Sequence, residues 1–150
     1  MITIRKFKDK DAIEASNLIR KALSVVNSKF YPKLVIDFMC NEFSPEFLIK
    51  ISKEREFFIA FEKTKIIGTI TLINDYIGTV FVNPEFHHKG IGKKLMESIE
   101  NLAREKRIKN LRLESSINAV DFYEKLGYKK GVETQSEEYG VTYEMSKKLV

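Results

Sequence analysis

The stretch Asn83–Leu95, NPEFHHKGIGKKL, sets two glycines one residue apart where a helical pattern begins. Gly90 and Gly92 carry no side chain, so a ligand can approach the backbone closely. The first amides of a helix lack partners within it, and the helix dipole puts partial positive charge there. Lys89 and Lys93 add full charges. These residue types at this spacing suit an oxyanion, and a pyrophosphate would engage several amides at once, that of Ile91 at the centre. His87 and His88 belong with the same phosphate end. As a metal pair they are weak, because adjacent residues rarely converge on one ion and no third ligand is evident. No metal is expected.

Two known phosphate-binding patterns do not fit. A P-loop needs a glycine at position 87 and a hydroxyl at 94; the chain has His87 and Lys94. A dinucleotide fingerprint needs a third glycine three residues after Gly92, where Leu95 stands.

The elements around this turn can be read from periodicity. ITIRKF alternates as a half-buried strand. Asp11 and Glu14 have capping-box spacing, followed by Ala15, Leu18, Ile19, Ala22, Leu23 and Val26 on one helical face. Leu34, Val35, Phe38 and Met39 predict a second, shorter helix after the NSKFYP break. Ser44-Pro45 predicts the start of a third, with Phe47, Leu48 and Ile51 inward. EFFIAFE, KIIGTITLI and IGTVFVN then read as three antiparallel strands separated by tight turns. Helical spacing returns at Ile91, Leu95, Ile99, Leu102 and Ala103, and NLRLESS reads as a strand. Ala119, Phe122, Tyr123 and Leu126 give a short helix, with Gly127 at its left-handed C-cap. One or two strands, VTYEMSKKL among them, close the chain. A helix between IGTVFVN and NLRLESS makes a crossover, so those strands should run parallel. The expected fold is α/β (α+β): one domain over 1–150 with a mixed sheet of six to seven strands and helices on both faces.

The chain has 150 residues, a net charge of +5 and one cysteine, Cys40. A lone cysteine argues against a disulfide framework and fits a reducing cytosol, so a cytoplasmic location is expected. No apolar run is long enough for a membrane span. The basic balance serves solubility and is consistent with an anionic ligand.

VNPEFHHKGIGKKLM resembles the acyl-CoA signature of the GNAT superfamily of N-acyltransferases, in which a Val-x-Pro strand end leads to Arg/Gln-x-x-Gly-x-Gly/Ala. Val82, Pro84, Gly90 and Gly92 match; His87 replaces the usual Arg or Gln, and His88 a frequent glycine. SSINAVDFYEKLGYKK resembles the family's second signature through Ala119, Phe122, Tyr123, Glu124, Lys125, Gly127 and Tyr128, the last in place of the usual Phe. The order of elements resembles the whole family domain.

The resemblance implies acetyl-CoA as cosubstrate and a primary amine as acceptor. It implies that the turn from His87 to Lys93 holds the cofactor's pyrophosphate and that the strand around Phe81 and Val82 pairs with its pantetheine arm. An amide of Phe81 or Val82 would stabilise the developing oxyanion. Ser116 falls where many members carry an Asn that touches the arm, and Phe122 belongs to the matched motif. Lys125 reaches a cofactor phosphate or remains a solvated helix residue. Tyr123 is implied as the general acid for the departing thiolate. Asn118 reads first as a helix cap. Asp75, Glu114 and Glu42 are the open choices for a base, beside proton loss through water. Phe30, Tyr31, Phe38, Phe43 and Phe47 lie where the family builds its acceptor pocket. Direct transfer is expected, since Cys40 lies far from both motifs. A non-catalytic acyl-CoA sensor and a basic nucleic-acid module are the rival readings; the second lacks an aromatic platform or a recognition helix. The final strand and its neighbours are available to pair across a homodimer.

Overall fold

The computed structural model describes residues 1–150. Seven strands form one sheet in the order β1-β2-β3-β4-β5-β7-β6. They are β1 (Ile2–Lys6), β2 (Glu56–Glu62), β3 (Lys65–Ile73), β4 (Tyr76–Val82), β5 (Asn110–Ser116), β6 (Lys129–Ser136) and β7 (Gly140–Lys148). All neighbours are antiparallel except β4 and β5. That parallel pair is joined through helix α4 (Ile91–Glu105), the expected crossover. Helices α1 (Ala12–Val25), α2 (Lys33–Glu42) and α3 (Pro45–Glu54) pack on one face of the sheet, and α4 with α5 (Val120–Lys125) on the other. No helix is long and apolar enough to cross a membrane.

The two faces have separate cores, and β2 shows why its sequence is apolar almost throughout. Phe57 and Ile59 point into the α1–α3 core, while Phe58 and Ala60 face α4. A strand buried on both sides needs apolar residues at both parities. In α4 the residues Ile91, Leu95, Met96, Ile99 and Ala103 form the buried stripe, each large one contributing about 2 kcal/mol. Glu100 lies in that stripe, only 7 % exposed. Its carboxylate is satisfied by the Tyr128 hydroxyl at 2.8 Å and by Lys147 Nζ at 3.1 and 3.2 Å. Lys147 also donates to the Leu126 carbonyl at 2.7 Å, so one cation ties α4, β7 and the end of α5 together. The hydroxyl by which Tyr128 differs from phenylalanine therefore has a partner.

Several local expectations change. Asp11 and Glu14 do not form a capping box. Asp11 takes a bidentate contact from Arg5, at 2.8 and 3.0 Å, and a third hydrogen bond from the Lys8 amide at 2.8 Å. Glu14 instead accepts from the Ile66 amide of β3 at 2.7 Å. In α2 the inward residues are Val35 and Ile36, while Leu34 and Phe38 are 77 % and 38 % exposed. Ser44 does cap α3, accepting from the Phe47 amide with Pro45 at the first position. Gly127 takes the left-handed C-cap, with φ +96°.

Burial alone would raise the Asp11 carboxyl, but hydrogen bonds from Arg5 and the Lys8 amide, with nearby positive charge, hold it below its ordinary range. Its stabilisation is therefore present above the ordinary carboxylate range and lost as pH falls through the depressed value. Asp11→Ala should cost about 2 kcal/mol at neutral pH. The gap between the urea midpoints of variant and wild type should narrow on acidification; a gap that stays constant to the acid limit contradicts this.

Candidate active site

The middle of the sheet is open. Strands β4 and β5 pair only at Tyr76↔Arg112 and Ile77↔Leu113. Beyond that point Gly78–Val82 and Glu114–Ser116 have no register with each other, although β4 stays bonded to β3 and β5 to β7. Every residue from Gly78 to Val82 is half-exposed, in the central strand of seven. A bulge accompanies the parting: Thr69↔Phe81 and Thr71↔Gly78 place three steps of β4 against two of β3. Thr79 takes φ +52° there, a conformation that a β-branched residue adopts only under constraint, at about 1–3 kcal/mol. Two fully buried threonines hold it. Thr69 Oγ1 donates to the Thr79 carbonyl at 2.7 Å, and Thr71 Oγ1 lies 3.3 Å from Thr79 Oγ1. The extra residue reverses the alternation of β4. Ile77, Val80 and Val82 pack toward α4, while Phe81 turns to the α1–α3 core and stacks edge-on against Phe43.

The glycine turn stands over the end of this gap. Asn83 closes β4 by accepting from the Glu85 amide, and the chain reaches α4 through His88 and Gly90, both left-handed, at φ +66° and +77°. From His88 to Lys93 no backbone amide finds an acceptor in the protein; the first helical bond here is Lys94 N to the Gly90 carbonyl, 3.1 Å. Ile91 is 1 % exposed and fixes the helix start in the core. His87, His88, Lys89, Gly90 and Lys93 are exposed. The two glycines do different work. A methyl group on Gly90 would meet nothing within 4 Å, so this position keeps the backbone open and supplies the positive φ. The bare face of Gly92 is filled by Phe122, whose Cζ a methyl group would approach to 3.0 Å. Gly92 thus admits a ring from α5 rather than a ligand, and that contact brings the element following β5 onto the helix following β4.

On α5, Tyr123 is 5 % exposed and stacks edge-on with Phe122 and Tyr128, at 5.1 and 6.0 Å. Its hydroxyl bonds to no protein group, yet is not sealed off. Burial, with Tyr76 nearby, pushes its pKa well above the ordinary phenol value, so it stays protonated at neutral pH. Ser116 is half-buried at the end of β5, and Lys125 is exposed without a partner. Asn118 does not cap α5: the N-cap is Ala119, and Asn118 Oδ1 is sealed with no partner.

Helix α2 meets the β6–β7 turn, where Tyr139 packs edge-on against Phe38 and bonds Glu42. Tyr31, expected among pocket aromatics, is a bridge: its hydroxyl donates to the Val141 carbonyl and accepts from the Ile117 amide at 2.9 Å. Phe43 is buried, whereas Phe30 and Phe38 are 48 % and 38 % exposed. Of the possible bases, Asp75 is engaged by Arg112 at 3.0 Å and Glu42 accepts from the Tyr139 hydroxyl at 2.6 Å. Glu114 stays exposed on β5, 3.5 Å from the Thr142 hydroxyl.

Comparison with known proteins agrees with this geometry. Residues 30–149 match the family model described as acetyltransferase (GNAT) domain. The chain belongs to that family. It is 32 % identical over 72 residues to GCN5-related N-acetyltransferase 2, chloroplastic, of Arabidopsis thaliana, covering 45 % of this chain and 28 % of that protein. The chain spans less than half the length of the curated relatives it matches. Among solved structures, a GCN5-related N-acetyltransferase from Rhodopseudomonas palustris superposes with a TM-score of 0.91 at 18 % identity, over 97 % of this chain and 94 % of that one. The PaiA N-acetyltransferase of Thermoplasma acidophilum, solved in complex with coenzyme A, superposes with a TM-score of 0.83 at 26 % identity, over 99 % of both chains.

Gly92→Ala should destabilise by about 1–3 kcal/mol through overpacking against Phe122, and a further Phe122→Leu change should recover most of that. Gly90→Ala meets open space and should cost about 1 kcal/mol for the forced backbone angle alone. Urea unfolding of the three variants checks both; a Gly92→Ala protein as stable as wild type contradicts the packing account.

Proposed function

We propose that this chain transfers the acetyl group of acetyl-CoA directly to a primary amine. The observation that carries the reading is the run of unbonded amides from His88 to Lys93, standing at the end of an unpaired gap in the sheet. A pyrophosphate fits those amides, with Lys89 and Lys93 beside them. An extended pantetheine arm fits the gap, where the facing edges of β4 and β5 do not pair with each other. Phe81 and Val82 would flank it on β4 and Ser116 on β5, with Phe122 closing the turn above. His87, His88 and the exposed Lys125 line the phosphate end.

The cosubstrate supplies the acetyl group as a thioester. The amine nitrogen forms a bond to the acetyl carbon as the carbon–sulfur bond breaks; one amine proton must leave and the sulfur must gain one. In this reading Tyr123 protonates the sulfur. Its hydroxyl is protonated, free of protein partners and surrounded by apolar rings, so a hydrogen bond to the departing sulfur is strengthened by the low local dielectric. Glu114 is the carboxylate on the open side of β5 that no cation holds, and it is the candidate for taking up the amine proton through water. Cys40 lies on α2, with its carbonyl bound by Arg20 at 2.9 Å, and takes no part.

Thiol release from acetyl-CoA across a panel of amines tests the activity, and calorimetry of coenzyme A tests the site. The absence of both binding heat and acetyl transfer would overturn the reading. Tyr123→Phe should lower kcat by about 10–100-fold while leaving coenzyme A affinity within about twofold. Unchanged kcat in that variant would remove Tyr123 from the chemistry.

A further inference from the structure

Two arginine side chains make no hydrogen bond or ion pair, the exposed Arg107 and the half-buried Arg55 between α3 and β2. Arg5, Arg20, Arg104 and Arg112 each reach a carboxylate or carbonyl. Arg55 reaches none: its Nε is sealed from solvent without a partner. Glu56 is committed to Lys6 and Lys106, and Asp75 to Arg112; Glu114, whose charge with that of Arg55 acts on Tyr76, is free of cations but makes no bond to Arg55. Its side chain runs along the α1–α3 face of the sheet to Gly78, where Nη1 lies 3.8 Å from the point a Cβ would occupy. Tyr76 flanks the same spot, and the positive charge of Arg55 is felt at its hydroxyl. Gly78 is the first residue of β4 beyond the last pair with β5. The two terminal amino groups of Arg55 are thus unbonded, not sealed, and placed where the gap begins, at the end far from the glycine turn.

A guanidinium that has lost part of its hydration without gaining a counter-ion is costly to keep. Its planar pair of terminal amino groups matches a carboxylate in geometry and charge. We propose that Arg55 holds a carboxylate carried by the acceptor, so that the substrate class is amines that are also carboxylic acids. The proposal rests on the acetyl-transfer reading for its consequence, but its binding test does not. The acceptor would lie along β4 on the α1–α3 side, its carboxylate anchored at Gly78 and its amine directed up the gap.

The test uses the full chain and amine pairs that differ by the carboxylate alone: ω-amino acids from glycine to 6-aminohexanoate against the corresponding alkylamines, and lysine against cadaverine. For at least one pair, kcat/KM by thiol release should favour the carboxylated member by about tenfold or more. Arg55→Met should bring that ratio close to one, and Arg55→Lys should retain part of it, because the charge remains while the planar fork is lost. In parallel, the Nε–H signal of Arg55, assigned by its disappearance in Arg55→Met, is followed during titration of the coenzyme A-saturated protein with lysine and each ω-amino acid. A saturable shift with at least one of them supports the proposal even if no tested amine is turned over. Alkylamines used as well as their carboxylated partners, a preference that survives Arg55→Met, or an Nε–H signal that none of them moves overturns it. Loss of coenzyme A binding in wild type would instead remove the acetyl-transfer reading, leaving the Nε–H titration of the coenzyme-free protein to decide the role of Arg55.

Discussion

The structure depends on an unmade set of hydrogen bonds. A central strand normally has both backbone edges paired, because unpaired N–H and C=O groups away from water are costly. Here β4 gives up its β5 side after Ile77, and the fold is arranged to sustain the loss. The Thr79 bulge redirects β4 so that Phe81 still reaches a core, and Thr69 and Thr71 on β3 hold the strained residue in place. The gap is lined by backbone rather than by a particular set of side chains, which suits a ligand recognised mainly through its own amide groups.

Helix α4 spans the two halves that this gap divides. Its stripe from Ile91 to Ala103 packs on β3 and on Leu111, Leu113 and Met145 in the same core. Glu100 reaches Lys147 on β7, so an ion pair with little water around it adds direction to an otherwise apolar contact. The helix start cannot be displaced without disturbing that core, since Ile91 is buried at its first position. The free amides are held rigidly for the same reason that the two halves hold together.

Much of this is legible in the residues. Strand and helix periods identify most elements, and the parallel pairing follows from the helix between IGTVFVN and NLRLESS. Both glycines stand out in sequence, but only three-dimensional packing shows that Gly92 serves Phe122. The orientation of α2 escapes the pattern because Leu34 and Phe38 are as apolar as Val35 and Ile36, and hydrophobicity alone cannot say which pair faces inward. Glu14 misleads because a capping-box spacing is local, whereas its partner, the Ile66 amide, lies 52 positions away. Strand β6 is exposed along its whole length, with Val132 its single apolar side chain, and so has no alternation to detect. Arg55 leaves no trace in sequence, since what distinguishes it is the absence of a partner among residues distant along the chain. The threonines of TITLI are a signal that can be read: two polar residues of one parity within a buried strand require something to bond.

Tyr31 makes the neighbouring loops interdependent. Its hydroxyl joins Val141 at the start of β7 to Ile117 just past the end of β5, and its ring lies where Gly140 leaves room for it. The segment linking α1 to α2 is therefore a spacer that helps set the width of the crevice from the side opposite α4. Insertions or deletions in that segment would alter the aperture as well as the wall, so a change of loop length alone could change what the crevice admits while every residue of the glycine turn stayed the same.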